Sequence, residues 1–177
     1  MRIVCREDKS DRLLADLAVH DLDIVITDAP ASPAVKVRAF SHLLGECGVT
    51  FFATPDLAAR LRGKFPKSLN GAPILIPSSE AAVRRGLDQW FDANGIRPEV
   101  VGEFDDSALI KSFGQAGVGV FAAPSVIEAA VKRQYGVRAI GKADSVRERF
   151  FAVSVERRLK HPAVVAISET ARNETFI

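Results

Sequence analysis

Residues 105–124 read DDSALIKSFGQAGVGVFAAP, and few ways of folding are open to such a run. Asp105, Asp106 or Ser107 can N-cap a helix, because a short side-chain oxygen accepts one of the orphan N–H groups of the first turn. Leu109, Ile110 and Phe113 then fall on one apolar face. Gly114 weakens the last turn, and Gly117 stands where a left-handed C-cap is expected. Val118, Val120, Phe121 and Ala122 make a short apolar run closed by Pro124, the pattern of a strand buried on both faces. The unit is a capped helix, a glycine turn and an interior strand.

The same residues contain Gly117, Gly119 and Ala122, spelling G-x-G-x-x-A. A dinucleotide site needs those small residues after a strand and before a helix, so that the pyrophosphate meets a helix N-terminus. Here the helix comes first and the strand second, which sets a nucleotide reading aside. No other cofactor motif is present: there is no Walker loop, no G-x-S-x-G elbow and no H-E-x-x-H. Glu99 and Glu103 lie at strand spacing with nothing to mark them as an acid/base couple, and Ser78, Ser79 and Glu80 lack an obvious histidine partner. A catalytic role is not expected, and neither a cofactor nor a metal is.

Short apolar runs alternate with helical patterns along the rest of the chain. Residues 3–6 read as a strand, residues 9–20 as a helix with Leu13, Leu14 and Leu17 inward, and residues 24–26 as a second strand. Pro30 and Pro33 mark a loop, and strands are expected over 37–43 and 48–53. Pro55 suits the first turn of a helix over 55–61. A strand over 74–76 ends at Pro77, and Ser78 or Ser79 is expected to cap the helix that carries Ala82, Val83, Leu87, Trp90 and Phe91 and stops at Asn94-Gly95. A strand over 100–104 feeds the opening segment. A helix over 125–132, a returning strand over 150–155 and a last helix near 162–171 follow. Alternation of this kind favours an α/β fold with mostly parallel sheets.

Composition narrows the classes. Of 177 residues 47% are hydrophobic and 26% charged, which suits a globular domain or two small lobes able to bury a core. A formal charge of +2 is too small to imply a nucleic-acid surface. Two short basic clusters, Arg60, Arg62, Lys64 and Lys67, then Arg157, Arg158 and Lys160, read as solvated helix ends. Cys5 and Cys47 lack C-x-x-C or metal-site spacing and read as reduced thiols. With no signal-peptide core after the first residues and no apolar run of spanning length, a cytoplasmic protein without membrane contact is expected.

Several strings are similar to the effector-sensing domain of LysR-type transcriptional regulators. Beyond GVGVFAAP, these are LLADLAVHDLDIVITDA over 13–29, VRAFSHL and GVTFFA over 37–43 and 48–53, and FFAVSV with RRLKHPAVVAI over 150–155 and 157–167. HLLGECGVTFFA, EFDDSALIKSFGQAG and SVERRLKHPAVVAI most resemble the subgroup that activates sodium/proton antiporter genes. The resemblance implies two Rossmann-like lobes of the type 2 periplasmic-binding-protein kind, joined by crossing strands. The first lobe is expected over 1–48 plus 153–177, lacking its usual first strand and helix, and the second over 49–152. It also implies that DNA contact would run through an N-terminal domain outside this chain, so that the sequence reads as truncated and unable to bind DNA alone. Re-pairing of residues 3–6 into the vacant strand position, or contact with a second copy, is expected to compensate for the lost burial.

What the resemblance implies for function is an effector-sensing and oligomerisation domain, binding a small molecule or ion and forming a homo-oligomer. Effectors of the family lie near strand ends and helix N-termini, where free N–H groups and the helix dipole favour polar and anionic heads. The matching positions are Thr27, Asp28 and Ala29 after the second strand, Ser78 and Ser79 before the Trp90 helix, and Asp105, Asp106 and Ser107. Plain helix capping explains Ser78, Ser79 and Ser107 equally well, and Asp105 and Asp106 alone do not make a cation site. His20, His42 and His161 are scattered and read as surface or helix-end residues. A solute-binding protein of the same two-lobe fold, or a small enzyme on that scaffold, are the alternatives.

Overall fold

A computed structural model of the chain describes residues 2–31, 38–61, 63–157 and 161–176. Pro33, Arg62, Arg158, Lys160 and the start of the strand expected from residue 37 lie outside them. The chain divides into two compact units, residues 1–45 with 149–177 and residues 46–148. In chain order the elements are α1 (Ser10–Ala18), β1 (Val25–Thr27), β2 (Phe40–Ala53), α2 (Pro55–Arg60), β3 (Pro73–Pro77), α3 (Ala82–Ala93), β4 (Glu99–Phe104), α4 (Ser107–Gln115), β5 (Val120–Pro124), α5 (Glu128–Tyr135), β6 (Arg138–Ser154) and α6 (Pro162–Thr170). Hydrogen bonds link the strands in the order β1-β6-β2-β5-β3-β4. β3 pairs in parallel with β4 and β5, whereas β1 with β6 and β2 with β5 are antiparallel. The sheet is therefore mixed rather than mostly parallel. No helix among the described residues is long and apolar enough to cross a membrane.

The larger unit is a sheet with helices on both faces, and its alternation is visible strand by strand. Phe51, Ile74, Ile76 and Val120 face one apolar cluster with Leu57 of α2 and Leu87 and Phe91 of α3. Their neighbours Phe52, Leu75, Phe121 and Ala123 face a second cluster with Ile110 of α4 and Val131 of α5. Successive side chains of a strand point to opposite faces, so burial on both sides turns alternation into a continuous apolar run. The smaller unit has its own core of Leu14, Leu17, Val25 and Val153.

Segment 105–124 folds as a local reading requires. Asp106 is the N-cap of α4, its carboxylate accepting from the N–H groups of Ala108 at 2.6 Å and Leu109 at 3.4 Å. At the other end Gly117 takes φ +77°; its N–H bonds to the Gly114 carbonyl and that of Val118 to the Phe113 carbonyl. These are the two bonds of a Schellman stop, for which glycine carries no Cβ penalty. Gly114 also has a packing role, since a Cβ there would stand 2.1 Å from Cδ1 of Phe121. Of the apolar face expected on α4, only Ile110 is buried; Leu109 and Phe113 are about half exposed, and the Phe113 ring instead meets that of Phe104 at 5.0 Å.

Several elements differ from expectation. Residues 3–6 form no strand and pair with nothing in the sheet; Ile3 and Val4 are 65% and 64% exposed. Without a neighbouring strand their backbone groups are better satisfied by water. The two strands expected over 37–43 and 48–53 are one 14-residue strand, β2, and the strand expected over 150–155 is the end of the 17-residue β6. Helix α1 stops at Ala18, because His20 takes a left-handed φ of +64° and closes the helix two residues early. Neither Ser78 nor Ser79 caps α3: the N-cap is Ala81, without a side-chain bond. The Ser78 N–H donates to the Phe104 carbonyl at 2.8 Å and its own carbonyl accepts from the Ala81 N–H at 3.1 Å, so the chain makes a turn at 79–80 before the helix starts at Ala82.

Candidate functional site

In the larger unit, β3 leads through α3 to β4 on one side, and β5 leads through α5 toward β6 on the other. In sheets whose neighbouring parallel strands are left by connections running in opposite directions, the usual ligand position is outside the carboxyl ends of those strands. Ser78 and Ser79 follow β3 there, and Ser125 follows β5. Pairing of Pro77 with Phe104 and the Ser78–Phe104 bond bring Asp105, Asp106 and Ser107 to the same end of the sheet, beyond β3. Thr27, Asp28 and Ala29 belong to the smaller unit, where the Thr27 hydroxyl accepts from the Ala29 N–H at 3.4 Å.

Three groups at this end of the sheet escaped the sequence reading. Arg84 on α3 donates to the Pro77 carbonyl at 2.9 Å and pairs with Asp88 and Glu103 at 3.0 and 3.3 Å, tying the end of β3 to β4. Burial opposes its charge, but the carboxylates outweigh that and raise its pKa further. Lys111, half-buried on α4, reaches the Ser107 hydroxyl at 3.3 Å. Desolvation lowers its pKa, against the opposing pull of Asp106 and Glu148. These partners account for Ser107 and Asp106, whose polar atoms serve the helix itself.

The third group lies where β2 crosses β5. Fully buried Thr50 donates its hydroxyl to Glu128 Oε2 at 3.3 Å, and Lys142 from β6 reaches the same oxygen at 3.1 Å, with Lys132 at 3.4 Å from the other. Burial would raise the Glu128 pKa, yet the two ammonium groups lower it overall. A carboxylate whose folded pKa is depressed adds stability above its unfolded pKa, and that stability is lost as pH falls through the folded value. Acid titration of the chain is therefore expected to show a stability loss below about pH 4.5 that Glu128→Gln reduces. Urea melts at pH 7 and pH 4 check it: the wild-type difference should exceed that of the variant. No signal in the sequence pointed to this trio, because its members are up to 92 residues apart.

Among the described residues no group of three or more His, Cys, Asp or Glu side chains could hold a metal ion. Cys47 is buried in β2 and Cys5 is exposed, both as free thiols. The polar side chains at this end of the sheet include those of Ser78, Ser79 and Ser125, with Arg84 and Lys111 nearby.

The family model described as LysR substrate binding domain matches residues 1–175. The chain belongs to that family. It is similar to the transcriptional activator protein NhaR of Escherichia coli K12 and of Shigella flexneri, each 35% identical over 97% of this chain and 56% of the relative. The chain thus spans about half the length of the curated relatives it matches. Among solved structures it resembles the effector domain of the regulator AmpR of Pseudomonas aeruginosa, with a TM-score of 0.66 and 25% identity over 90% of this chain and 76% of that one. It also shares its fold with Vibrio fischeri DarR, solved in complex with DNA, at a TM-score of 0.68 and 18% identity over 95% of this chain and 56% of that chain.

Proposed function

We propose that this chain is the effector-sensing and oligomerisation part of a LysR-type transcriptional regulator, binding a small molecule or ion and reaching DNA only through sequence outside it. The observation that carries the reading is the family match over residues 1–175, and the switch in strand order between β3 and β5 supports it. Ser78, Ser79 and Ser125 of the larger unit would be offered to the effector, and Thr27, Asp28 and Ala29 are candidate contacts within the smaller unit. Asp105, Asp106 and Ser107 then act by fixing the start of α4, with Lys111 as the nearby cation. The relatives are transcriptional activators, which suits recognition rather than turnover. A homo-oligomer in the cytoplasm is the setting this role requires.

A melting screen against salts, amino acids and small carboxylates tests the proposal. A ligand at 100 times its Kd raises stability by about 2.7 kcal/mol, a shift of several degrees for a domain of this size. The Ser78→Ala/Ser125→Ala double variant is expected to keep its unliganded melting point within about 1 °C and lose most of that shift. A ligand consumed during the assay, or a shift untouched by the double variant, would count against the reading.

A further inference from the structure

The smaller unit contains a cavity of about 410 Å³ that the effector reading does not use. It lies between the C-terminal turn of α1, the end of β6 and the start of α6, and His20, Asp23, Ser154, Glu156 and His161 line it with an apolar floor that includes Leu22 and Val164. All three histidines of the chain converge here, although 141 residues separate the first from the last. His20 and His161 line the cavity directly. His42 on β2 stands behind it, its Nε2 3.3 Å from the Ser154 hydroxyl.

The hydrogen bonding fixes what each group can offer. Ser154 is 4% exposed and donates its proton to the Glu156 carbonyl at 2.8 Å, so its oxygen is left to accept from His42 Nε2–H. His42 is thus a positioning residue that holds the end of β6 in place. His20 occupies the left-handed position closing α1, with its N–H on the Leu17 carbonyl and that of Asp21 on the Asp16 carbonyl. Glycine takes that conformation freely and a residue with a Cβ does not. A strained non-glycine residue whose side chain borders a cavity is an outlier of the kind that accompanies ligand sites. His161 opens α6 without a side-chain cap, and Pro162 follows it. The donors on this wall are therefore two imidazoles and uncapped backbone N–H groups, facing a lining that also carries two carboxylates.

A lining of both signs over an apolar floor matches a ligand of both signs with an apolar body. We propose that the cavity binds a small aliphatic zwitterion of the α-amino-acid class. Its carboxylate is held by His20, His161 and the opening turn of α6, its ammonium by Asp23 and Glu156, and its side chain lies against Leu22 and Val164. The volume falls at the small end of ligand pockets, which suits a molecule of this size. The site is separate from the strand ends of the larger unit and does not rest on the effector reading.

The experiment is calorimetric titration of the whole chain with glycine, L-alanine, L-valine and L-leucine. It is repeated with 3-methylbutylamine and 4-methylpentanoate, which are leucine without its carboxylate and without its amine. At least one amino acid is expected to bind saturably, and both leucine analogues at least about tenfold more weakly than leucine. His20→Gly is chosen because it removes an imidazole while giving the left-handed position its preferred residue, so its melting point should be unchanged or higher. Its affinity, and that of Asp23→Asn, should fall about tenfold to a hundredfold. Absence of saturable binding by all four amino acids up to about 10 mM overturns the proposal. So does binding of either analogue as tightly as leucine, or undiminished binding by His20→Gly and Asp23→Asn. Failure here leaves the Ser78/Ser125 result untouched, and the converse holds.

Discussion

Phe121→Ala is expected to lower the stability of the larger unit by about 3–5 kcal/mol, and Gly114→Ala by about 1–3 kcal/mol, while the double variant loses less than the sum. The Phe121 ring is fully buried and lies against Phe52 with ring centres 5.4 Å apart. Deleting it removes its transfer free energy and leaves a cavity that Ile110 and Val131 can only partly fill. Gly114→Ala destabilises for the opposite reason. A methyl there would sit 2.1 Å from Cδ1 and 2.4 Å from Cε1 of that ring, and the ring has nowhere to turn inside a filled cluster. Once the Phe121 ring is gone, the methyl added at position 114 enters vacated space. The coupling should therefore be favourable by at least about 1 kcal/mol. Urea unfolding of the four proteins, followed by the fluorescence of the single tryptophan, gives the cycle. Strict additivity would show that α4 does not press Gly114 onto β5.

That helix–turn–strand unit was the most legible part of the chain because every signal in it is local. The cap, the glycine stop and the doubly apolar run each act within a few residues. Where the outcome depended on distant partners, local pattern misled. Residues 3–6 have the composition of a strand but no neighbour, and Ser78 looks like a cap until its N–H is seen extending the ladder to Phe104. The first half of β6 carries arginine, lysine and aspartate among its apolar residues; Ala143 and Val146 are buried but three apart, so no alternation of period two announces a strand. The family resemblance was readable because it rests on contiguous strings. The histidine-lined cavity and the Thr50–Glu128–Lys142 trio were not, since strand pairing and helix docking between remote segments create them. Ser78, Ser79 and residues 105–107 lie at the carboxyl ends of β3 and β4, residues 27–29 at the end of β1, and Ser125, which the sequence pattern makes the start of a helix, at the end of β5.

The opposite face of the same sheet should be as sensitive. Phe51→Ala is expected to cost about 3–5 kcal/mol, a large share of the roughly 5–15 kcal/mol that holds a domain of ordinary stability. Phe51 is fully buried on β2, and three rings surround it: Trp90 at 5.3 Å, Phe65 at 5.7 Å and Phe91 at 6.0 Å. Phe65 and Trp90 also touch each other at 5.7 Å, and Phe65 packs over Gly141 of β6, where a Cβ would stand 2.2 Å from the ring. Removing Phe51 therefore takes the middle out of an aromatic set that fastens α3 and the segment after α2 to the sheet. The native Trp90 emission should shift to the red as water reaches the indole, before any denaturant is added. Phe51→Leu separates volume from ring geometry: it keeps most of the apolar area and should recover more than half of the loss. What it cannot restore is the edge and face contacts between aromatic rings, worth about 0.5–1.5 kcal/mol for each pair. A Phe51→Ala chain that melts within about 1 °C of wild type, with unshifted emission, would mean that α3 is held by Leu87 and Phe91 alone and that the aromatic set is incidental to the fold.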